Sequence, residues 1–443
     1  MKKRKLLQKL IAEHFQGIAP DQLAVLRARF PHWMRPDLQR GLELALRDAD
    51  EVRFYGARLR GTRFAFRFSD LLEQGKHGIA VGPPVHDELE IGEAQPLRCL
   101  QHGLWLLRRA ENRLAVLLDV NDAMRRSGVR IEIAAAAEAR AVAEAMLGCV
   151  RETAERAETY RGKVLAPSEE EYAFDEGPVT LRVLRLRTVE RNDIVLAPGL
   201  LDQVERNTIG FAARCEELVR LGMTAQKGVL LYGPPGTGKT LLVRYLASAL
   251  TGYTKFVLSA DKLGWLGDTI DAARLLTPAM IVIEDVDLIA AHRDGPWQHT
   301  PAALNRLLNE MDGVGTDARL LFVLTTNRPE VLEPALAARP GRIDQAIEIG
   351  LPEDRERRLL LRRCARGLPL ADETIAQVSR RAGKVSPAFL KELVRRAAQA
   401  MLERAGERLE EADFARAFED MSGAGAKVTA RLLGAEGFGF VTQ

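Results

Sequence analysis

Hydrophobic positions in the second half of the chain fall into short, nearly unbroken runs separated by stretches of helical period. Val229–Tyr232, Lys255–Leu258, Met280–Ile283, Leu320–Thr325 and Ala346–Ile349 are predicted strands. Strands this continuously apolar are buried on both faces, which predicts a parallel sheet with helices on either side. From Pro352 onward the period is that of a helix. Arg355–Ala365, Ala371–Ala382, Ser386–Ala405 and Glu410–Met421 are predicted helices, the third opened by Ser386 as cap and Pro387 in the first turn. The first 190 residues read differently. Leu38–Arg47, opened by Pro36, has a helical pattern, and Leu6, Leu7, Leu10, Ile11 and Phe15 share one face of a short helix. Val52–Phe68 alternates well enough to be strand-rich, Leu114–Val120 reads as a buried strand, and Val179–Val183 alternates again. Ala134–Tyr160, rich in alanine and charge, predicts a long helix. The expected organisation is an α+β domain over 1–190, an α/β domain over 191–351, a small helical lid over 352–424 and a tail over 425–443.

With 443 residues the chain can bury two or three cores. A net charge of +3 gives no general reason to expect a nucleic-acid partner. Charges interrupt every apolar stretch before membrane-spanning length, and Gln8 and Lys9 break the apolar core a signal peptide needs. The N-terminal segment therefore reads as a packing helix, with a membrane-surface anchor as the alternative. Cys99, Cys149, Cys215 and Cys364 are dispersed and form no CxxC pair, so a reducing, cytoplasmic setting is expected. Cys99 and His102 have ligand-like spacing, but two ligands do not make a metal site.

The chemistry is concentrated in Gly233-Pro234-Pro235-Gly236-Thr237-Gly238-Lys239-Thr240, which fits G-x-x-x-x-G-K-[ST]. An apolar run precedes it and a helical pattern opening with Leu241 follows, the context a phosphate-cradling loop requires. The glycines let backbone N–H groups converge on phosphates at the positive end of a helix. Lys239 would reach the β- and γ-phosphates of a nucleotide, and the Thr240 hydroxyl would ligate Mg2+. Gly82-Pro83-Pro84 has a similar turn without the lysine and reads as a plain loop. Met280–Ile283 runs into Glu284 and Asp285; carboxylates at the end of a strand beside such a loop would serve the metal and the attacking water. Glu284 would hold the metal through water, Asp285 would orient the water, and Asp287 reads as structural or as part of a subunit edge.

Together these motifs resemble the AAA family of ATPases over about Asp193 to Met421. Asn305–Gly313 resembles the segment before the family's fourth strand, and Thr325–Pro329 with Arg339-Pro340-Gly341-Arg342-Ile343-Asp344 resembles its second region of homology. The resemblance implies a P-loop NTPase sheet, Asn327 as the sensor of the γ-phosphate, and Arg339 and Arg342 as fingers acting on ATP held by a neighbouring subunit. Ring assembly of identical subunits, typically six, follows. Asp193 and Ile194 align with the segment beside the adenine, with Val195 and Leu196 in place of its glycines, and Ile209-Gly210 is a further candidate near the base. Three features depart from the family pattern. The carboxylate order is Glu-Asp, similar to the mitochondrial AAA translocase branch; Ser386-Pro387-Ala388 replaces Gly-Ala at the lid; and Trp265 to Glu284 is short. The whole chain is also similar to a bacterial branch of the family with an N-terminal α+β domain.

Trp265, Leu266 and Gly267 fall where AAA unfoldases carry an aromatic pore loop, and two readings are open: a grip on an extended client, or a tryptophan buried between strand and helix. No HExxH occurs, and the terminal Gly437–Gln443 lacks a penultimate tyrosine of the proteasome-docking kind. The expected function is remodelling, unfolding or disassembly of a protein partner at the expense of ATP. The alternatives are a nucleic-acid-linked ATPase, in which the arginine-rich Arg355–Arg358 and the terminal Lys2–Lys5 would meet phosphates, and an ATP-gated scaffold with slow hydrolysis.

Overall fold

The computed structural model describes residues 6–58, 67–72, 79–120, 128–169, 179–288, 309, 311, 318–332 and 342–422. Two compact units divide between Arg185 and Leu186.

The first unit contains α1 (Leu7–His14), β1 (Leu23–Pro31), α2 (Arg35–Leu46), β2 (Glu51–Arg58), α3 (Phe68–Leu72) and β3 (Ala80–Gly82). They are followed by β4 (His86–Leu89), β5 (Leu97–Leu100), β6 (His102–Arg109), β7 (Asn112–Asp119), β8 (Gly128–Ala136), α4 (Arg140–Arg156), β9 (Val164–Glu169) and β10 (Val179–Val183). Six strands form an antiparallel sheet in the order β1-β8-β7-β6-β2-β3. Short hairpins pair β4 with β5 and β9 with β10. Leu7, Ile11 and Phe15 of the α1 segment are buried with Leu104, Leu106, Ala115 and Leu117 on one face of the sheet, as their shared helical face predicts.

Two expectations are corrected here. The strand near Val52 spans only Glu51–Arg58, and Phe68 opens α3 instead of closing a strand; residues 59–66 lie outside the described residues. The long helix predicted over Ala134–Tyr160 begins at Arg140 and ends at Arg156. Ala134 and Ala135 close β8, fully buried and paired with Val25 and Ala24 of β1. Alanine's helix preference is a few tenths of a kcal/mol per residue, and pairing into a covered sheet overrides it.

The second unit holds α5 (Leu200–Asn207), α6 (Ile209–Arg220), β11 (Gln226–Tyr232), α7 (Lys239–Ala249), β12 (Thr254–Ser259), α8 (Leu266–Leu275), β13 (Ala279–Glu284), β14 (Leu320–Thr326) and β15 (Gln345–Glu348). The five predicted strands are all present and parallel, in the order β12-β13-β14-β11-β15. Val229, Leu231, Met280, Val282, Leu321 and Val323 pack with Leu242, Val243 and Leu246 of α7. The alternate residues Leu230, Ile281, Ile283, Phe322 and Leu324 are equally buried, so both faces are covered.

After the sheet come α9 (Asp354–Cys364), α10 (Asp372–Ala382), α11 (Pro387–Glu403) and α12 (Glu411–Ser422). They share a core of their own built on Leu361, Ile375, Val378, Phe389, Leu393, Phe414 and Phe418. Ser386 caps α11 as its sequence predicts, accepting a bond from the Phe389 N–H at 3.2 Å. Among the described residues no helix is long and apolar enough to cross a membrane.

Candidate active site

In an open parallel sheet, ligands bind beyond the carboxyl ends of the strands. Here the ends of β11, β13 and β14 supply all three predicted motifs. β11 pairs with β14 so that Tyr232 stands opposite Thr326, and β13 pairs with β14 with Ile283 opposite Leu324. The glycine loop, the two carboxylates and Asn327 therefore leave the sheet at one level.

Gly233, Gly236 and Gly238 have φ of 145°, 76° and 100°, values glycine adopts without cost. The loop is also tightly enclosed: a Cβ on Gly233 would sit 2.3 Å from the Ile349 carbonyl oxygen, and one on Gly236 would sit 2.9 Å from Ser386 Oγ. The Ala388 N–H donates to the Gly236 carbonyl at 3.2 Å, which ties the start of α11 to the loop. Thr237 Oγ1 donates to the Pro234 carbonyl at 3.0 Å. Lys239, the first residue of α7, is 6% exposed and donates through Nζ to the carbonyls of Gly233 at 2.8 Å and Pro234 at 2.9 Å. Burial pulls its ammonium below the ordinary lysine range, and the carboxylates of Asp285 and Asp287 oppose that shift. Pro235 and Leu241 flank these groups, and Thr240 is exposed in the first turn of α7.

Glu284 ends β13, with one buried carboxylate oxygen, Oε1, that has no hydrogen-bond partner among the described residues. Asp285 follows with φ of 51°, in the left-handed region that a non-glycine residue occupies only when its surroundings hold it there. The restraints are visible. The Asp285 N–H donates to Thr325 Oγ1 at 3.1 Å, and the Val286 N–H donates to the Thr325 carbonyl at 2.9 Å. Asn327 Nδ2 donates to Asp285 Oδ1 at 3.1 Å. Asp287 completes the lacing: its Oδ1 accepts from Thr326 Oγ1 at 2.8 Å and from the Asn327 N–H at 3.1 Å. Asp287 is thus a buried clamp on the residue predicted as sensor, a role for which its sequence position two residues beyond Asp285 is the only hint.

Asp193 closes a single turn, accepts from the Glu190 N–H at 3.1 Å, and pairs with Arg363 of α9 at 2.5 Å. The Glu190 N–H first, and the Arg363 guanidinium after it, hold the Asp193 carboxyl below the usual range. Arg363 also donates to the Asn192 carbonyl, so a lid helix grips the predicted adenine segment. Sequence gave no signal for that contact. Ile194 is partly buried with Leu196, Leu200 and Ile209 against the α7 core, and Ile209-Gly210 opens α6.

Trp265 ends a 3-10 turn and is half-buried, while Leu266 behind it is 1% exposed in the first turn of α8 and Gly267 is half-buried. Arg342 is half-buried and donates to Asn309 Oδ1 at 3.3 Å. Its carbonyl packs so closely on β11 that a Cβ on Gly228 would lie 2.3 Å away, and Asp344 Oδ2 accepts from the Gly228 N–H at 2.7 Å. Arg339, Asn305–Leu308 and the tail lie outside the described residues. Cys99 and His102 are both buried, and no group of three or more potential metal ligands occurs among the described residues.

Residues 229–351 match the family model for the ATPase family associated with various cellular activities (AAA). Over these residues the chain carries an AAA ATPase domain. The chain is 34% identical over 235 residues to "ATP-dependent zinc metalloprotease FtsH 3" of Sphaerobacter thermophilus, covering 50% of this chain and 48% of that protein. It is 36% identical over 202 residues to an FtsH of Cutibacterium acnes, covering 42% and 28%. Over 171 residues it is 39% identical to 26S proteasome regulatory subunit 10B of Dictyostelium discoideum, covering 35% and 43%. The chain spans less than half the length of these curated relatives.

Proposed function

We propose that the chain hydrolyses ATP and spends the energy on remodelling, unfolding or disassembling a protein partner. The observation that supports this most is the laced pair of strand ends, with Asn327 bonded to Asp285 at 3.1 Å and Asp285 and Asp287 facing Lys239. In this reading Gly233–Thr240 wraps the phosphates and Lys239 exchanges its two carbonyl partners for phosphate oxygens. Asp285 orients the attacking water, and Asn327 senses the γ-phosphate. The exposed Thr240 hydroxyl and the unpartnered Glu284 oxygen fit Mg2+, which when bound neutralises phosphate charge. Asp193 and Ile194 border the adenine. Arg342, with Arg339, acts on the site of the next subunit of a homo-oligomeric ring, an effect of roughly 10³–10⁵ in rate for such fingers. The N-terminal unit recruits the protein client, and the half-buried Trp265 grips it.

The four unpaired cysteines support a reducing, cytoplasmic setting. Zinc proteolysis, part of the FtsH relatives' printed names, is not in the proposal, since HExxH does not occur in the chain. Nucleic acid is not favoured as a partner either: Arg358 pairs with Asp354 at 2.6 Å and Arg357 donates to the Pro352 carbonyl at 2.8 Å, so these arginines are engaged within the lid. One observation favours a slow, switch-like ATPase: Asp285 is one methylene shorter than glutamate and its carboxylate is already engaged by Asn327. Steady-state turnover of the purified chain, beside Asp285→Asn, decides. Turnover that Asp285→Asn abolishes while ATP still binds supports the hydrolytic machine. Negligible turnover in both, with ATP bound, leaves the switch, and equal turnover in both overturns the assignment of Asp285.

A further inference from the structure

β2 loses its outer partner part-way along. On one side it runs antiparallel to β6 over Glu51–Tyr55; on the other it meets β3 only at Gly56, Ala57 and Arg58. The sequence explains where the ladder stops. The residues after Gly82 are Pro83 and Pro84, which have no N–H to donate. The approach there is close enough that a Cβ on Gly56 would lie 2.7 Å from the Pro83 carbonyl. Among the described residues, nothing pairs with the outer edge of Glu51–Tyr55. Val52 and Phe54, on one face of that segment, are 41% and 39% exposed. An open edge flanked by exposed apolar side chains is a template for another strand.

The other face of the same segment is charged. Glu51, Arg53 and Tyr55 line a cavity of about 290 Å³ with Arg108 and Arg113 from the neighbouring strands and His14 from the end of α1. Strand register sets Glu51, Arg108 and Arg113 in one row across the sheet. Three guanidinium groups here face the carboxylates of Glu13 and Glu51, leaving an excess of positive charge. Arg53 is taken by Glu51 at 2.6 Å, and Arg113 donates to the His14 carbonyl at 2.7 Å. Arg108 is exposed; its carbonyl accepts from the Asp50 N–H at 2.9 Å, but its guanidinium forms no hydrogen bond or ion pair with a described residue. Burial, and then the charge of Arg113, push the His14 imidazole below its ordinary range, so the arginines carry the cavity's positive charge.

We propose that an extended polypeptide with acidic side chains adds as a strand to the open edge of β2, seating a carboxylate on Arg108. Side chains alternate along a strand, so every second one turns toward the arginines while the others meet Val52 and Phe54. Main-chain hydrogen bonds supply affinity, and the arginine row selects acidic segments. The assignment deepens the reading of the N-terminal unit as the client-binding part and rests on it.

The test uses the full chain and fluorescence anisotropy at low ionic strength. The probe is a labelled peptide of alternating valine and glutamate. Its controls are the valine–lysine peptide and a valine–glutamate peptide with N-methylated valines. The valine–glutamate peptide is expected to bind saturably, with affinity falling about tenfold on N-methylation and about tenfold in Arg108→Glu, which should accept the lysine peptide instead. Arg108 is exposed, and the peptide comparison on the unmodified chain stands even if that variant folds badly. Binding indifferent to peptide charge or to N-methylation overturns the proposal. So does a fall in oligomer mass in Arg108→Glu by sedimentation, which would make the occupant a second copy of this chain. ATP turnover in the same samples separates the two readings. Peptide binding without hydrolysis leaves the β2 site standing and removes the remodelling function. Hydrolysis without peptide binding does the reverse.

Discussion

Replacing Asp287 with alanine would remove a carboxylate that touches no substrate in the proposed mechanism but holds the residue that does. Asp287 is 6% exposed, and its Oδ1 accepts from the Thr326 hydroxyl at 2.8 Å and the Asn327 N–H at 3.1 Å. A hydrogen bond to a charged group contributes roughly 1.5–3 kcal/mol, and a buried donor left without an acceptor costs about 1–3 kcal/mol. Thr326 is fully buried, so its hydroxyl has no access to bulk water. Asp287→Ala is therefore expected to destabilise the C-terminal unit by about 3–5 kcal/mol, a melting shift of roughly 6–20 °C at the scale of such domains. Asp287→Asn keeps an acceptor oxygen and loses only the charge, so about 2 kcal/mol is expected. The catalytic consequence is larger than the binding one. With β14's end released, Asn327 no longer presents Nδ2 to Asp285 in a fixed position, and kcat should fall about 10–100-fold. Affinity for ATP should hold or rise, because a carboxylate facing Lys239 has been removed. Calorimetry, equilibrium nucleotide binding and phosphate release on the same preparation give the three numbers. A folded Asp287→Ala protein with wild-type kcat would refute the clamp, and loss of ATP binding at unchanged kcat would refute the assignment of its effect to Asn327.

Two further outcomes are expected. Trp265→Ala should keep basal ATP turnover and melt within a few degrees of wild type while client-dependent work disappears; a destabilisation of about 3–5 kcal/mol with parallel loss of basal turnover would instead mark Trp265 as core. His32 is 3% exposed, and burial, helped by the Arg35 charge, pulls its imidazole from 6.5 to about 4. Because the folded state binds this proton more weakly than the unfolded one, the N-terminal unit is fully stable above pH 6.5 and loses stability as pH falls through 6.5 toward 4, by about 2 kcal/mol at pH near 5. Denaturant unfolding at two pH values should show that slope in wild type and a flatter one in His32→Phe; identical slopes would contradict it.

The elements that sequence made legible are those whose burial does not depend on which neighbour does the burying. β11, β12, β13 and β14 read as apolar runs because both faces of the sheet are covered, and the four lid helices read by period because each buries one stripe against the others. The glycine loop was legible because three positive φ values and a lysine at fixed spacing leave few other residue choices. What failed was local preference against tertiary pairing, as where Ala134 and Ala135 complete a strand beside β1. The lacing of the site was hidden for a different reason. Asp287 and Thr326 lie 39 residues apart, and Asp193 and Arg363 lie 170 apart. These pairs meet only because β13 neighbours β14 and α9 returns to the Asp193 turn, an order that strand and helix patterns do not reveal. The arginine row at β2 was equally hidden, since Glu51, Arg108 and Arg113 become neighbours through strand register alone.

The central claim is that ATP is hydrolysed at Lys239, Asp285 and Asn327 with an arginine delivered by the next subunit. It is tested most directly by mixing Lys239→Ala and Arg342→Ala proteins and measuring phosphate release. Each alone should be nearly inactive, the first for want of bound ATP and the second for want of the finger. Randomly mixed rings should regain roughly a quarter of wild-type turnover, because one junction in about four pairs an intact loop with an intact finger. No recovery in rings shown to be mixed, or full turnover by a protein that stays monomeric, would contradict it.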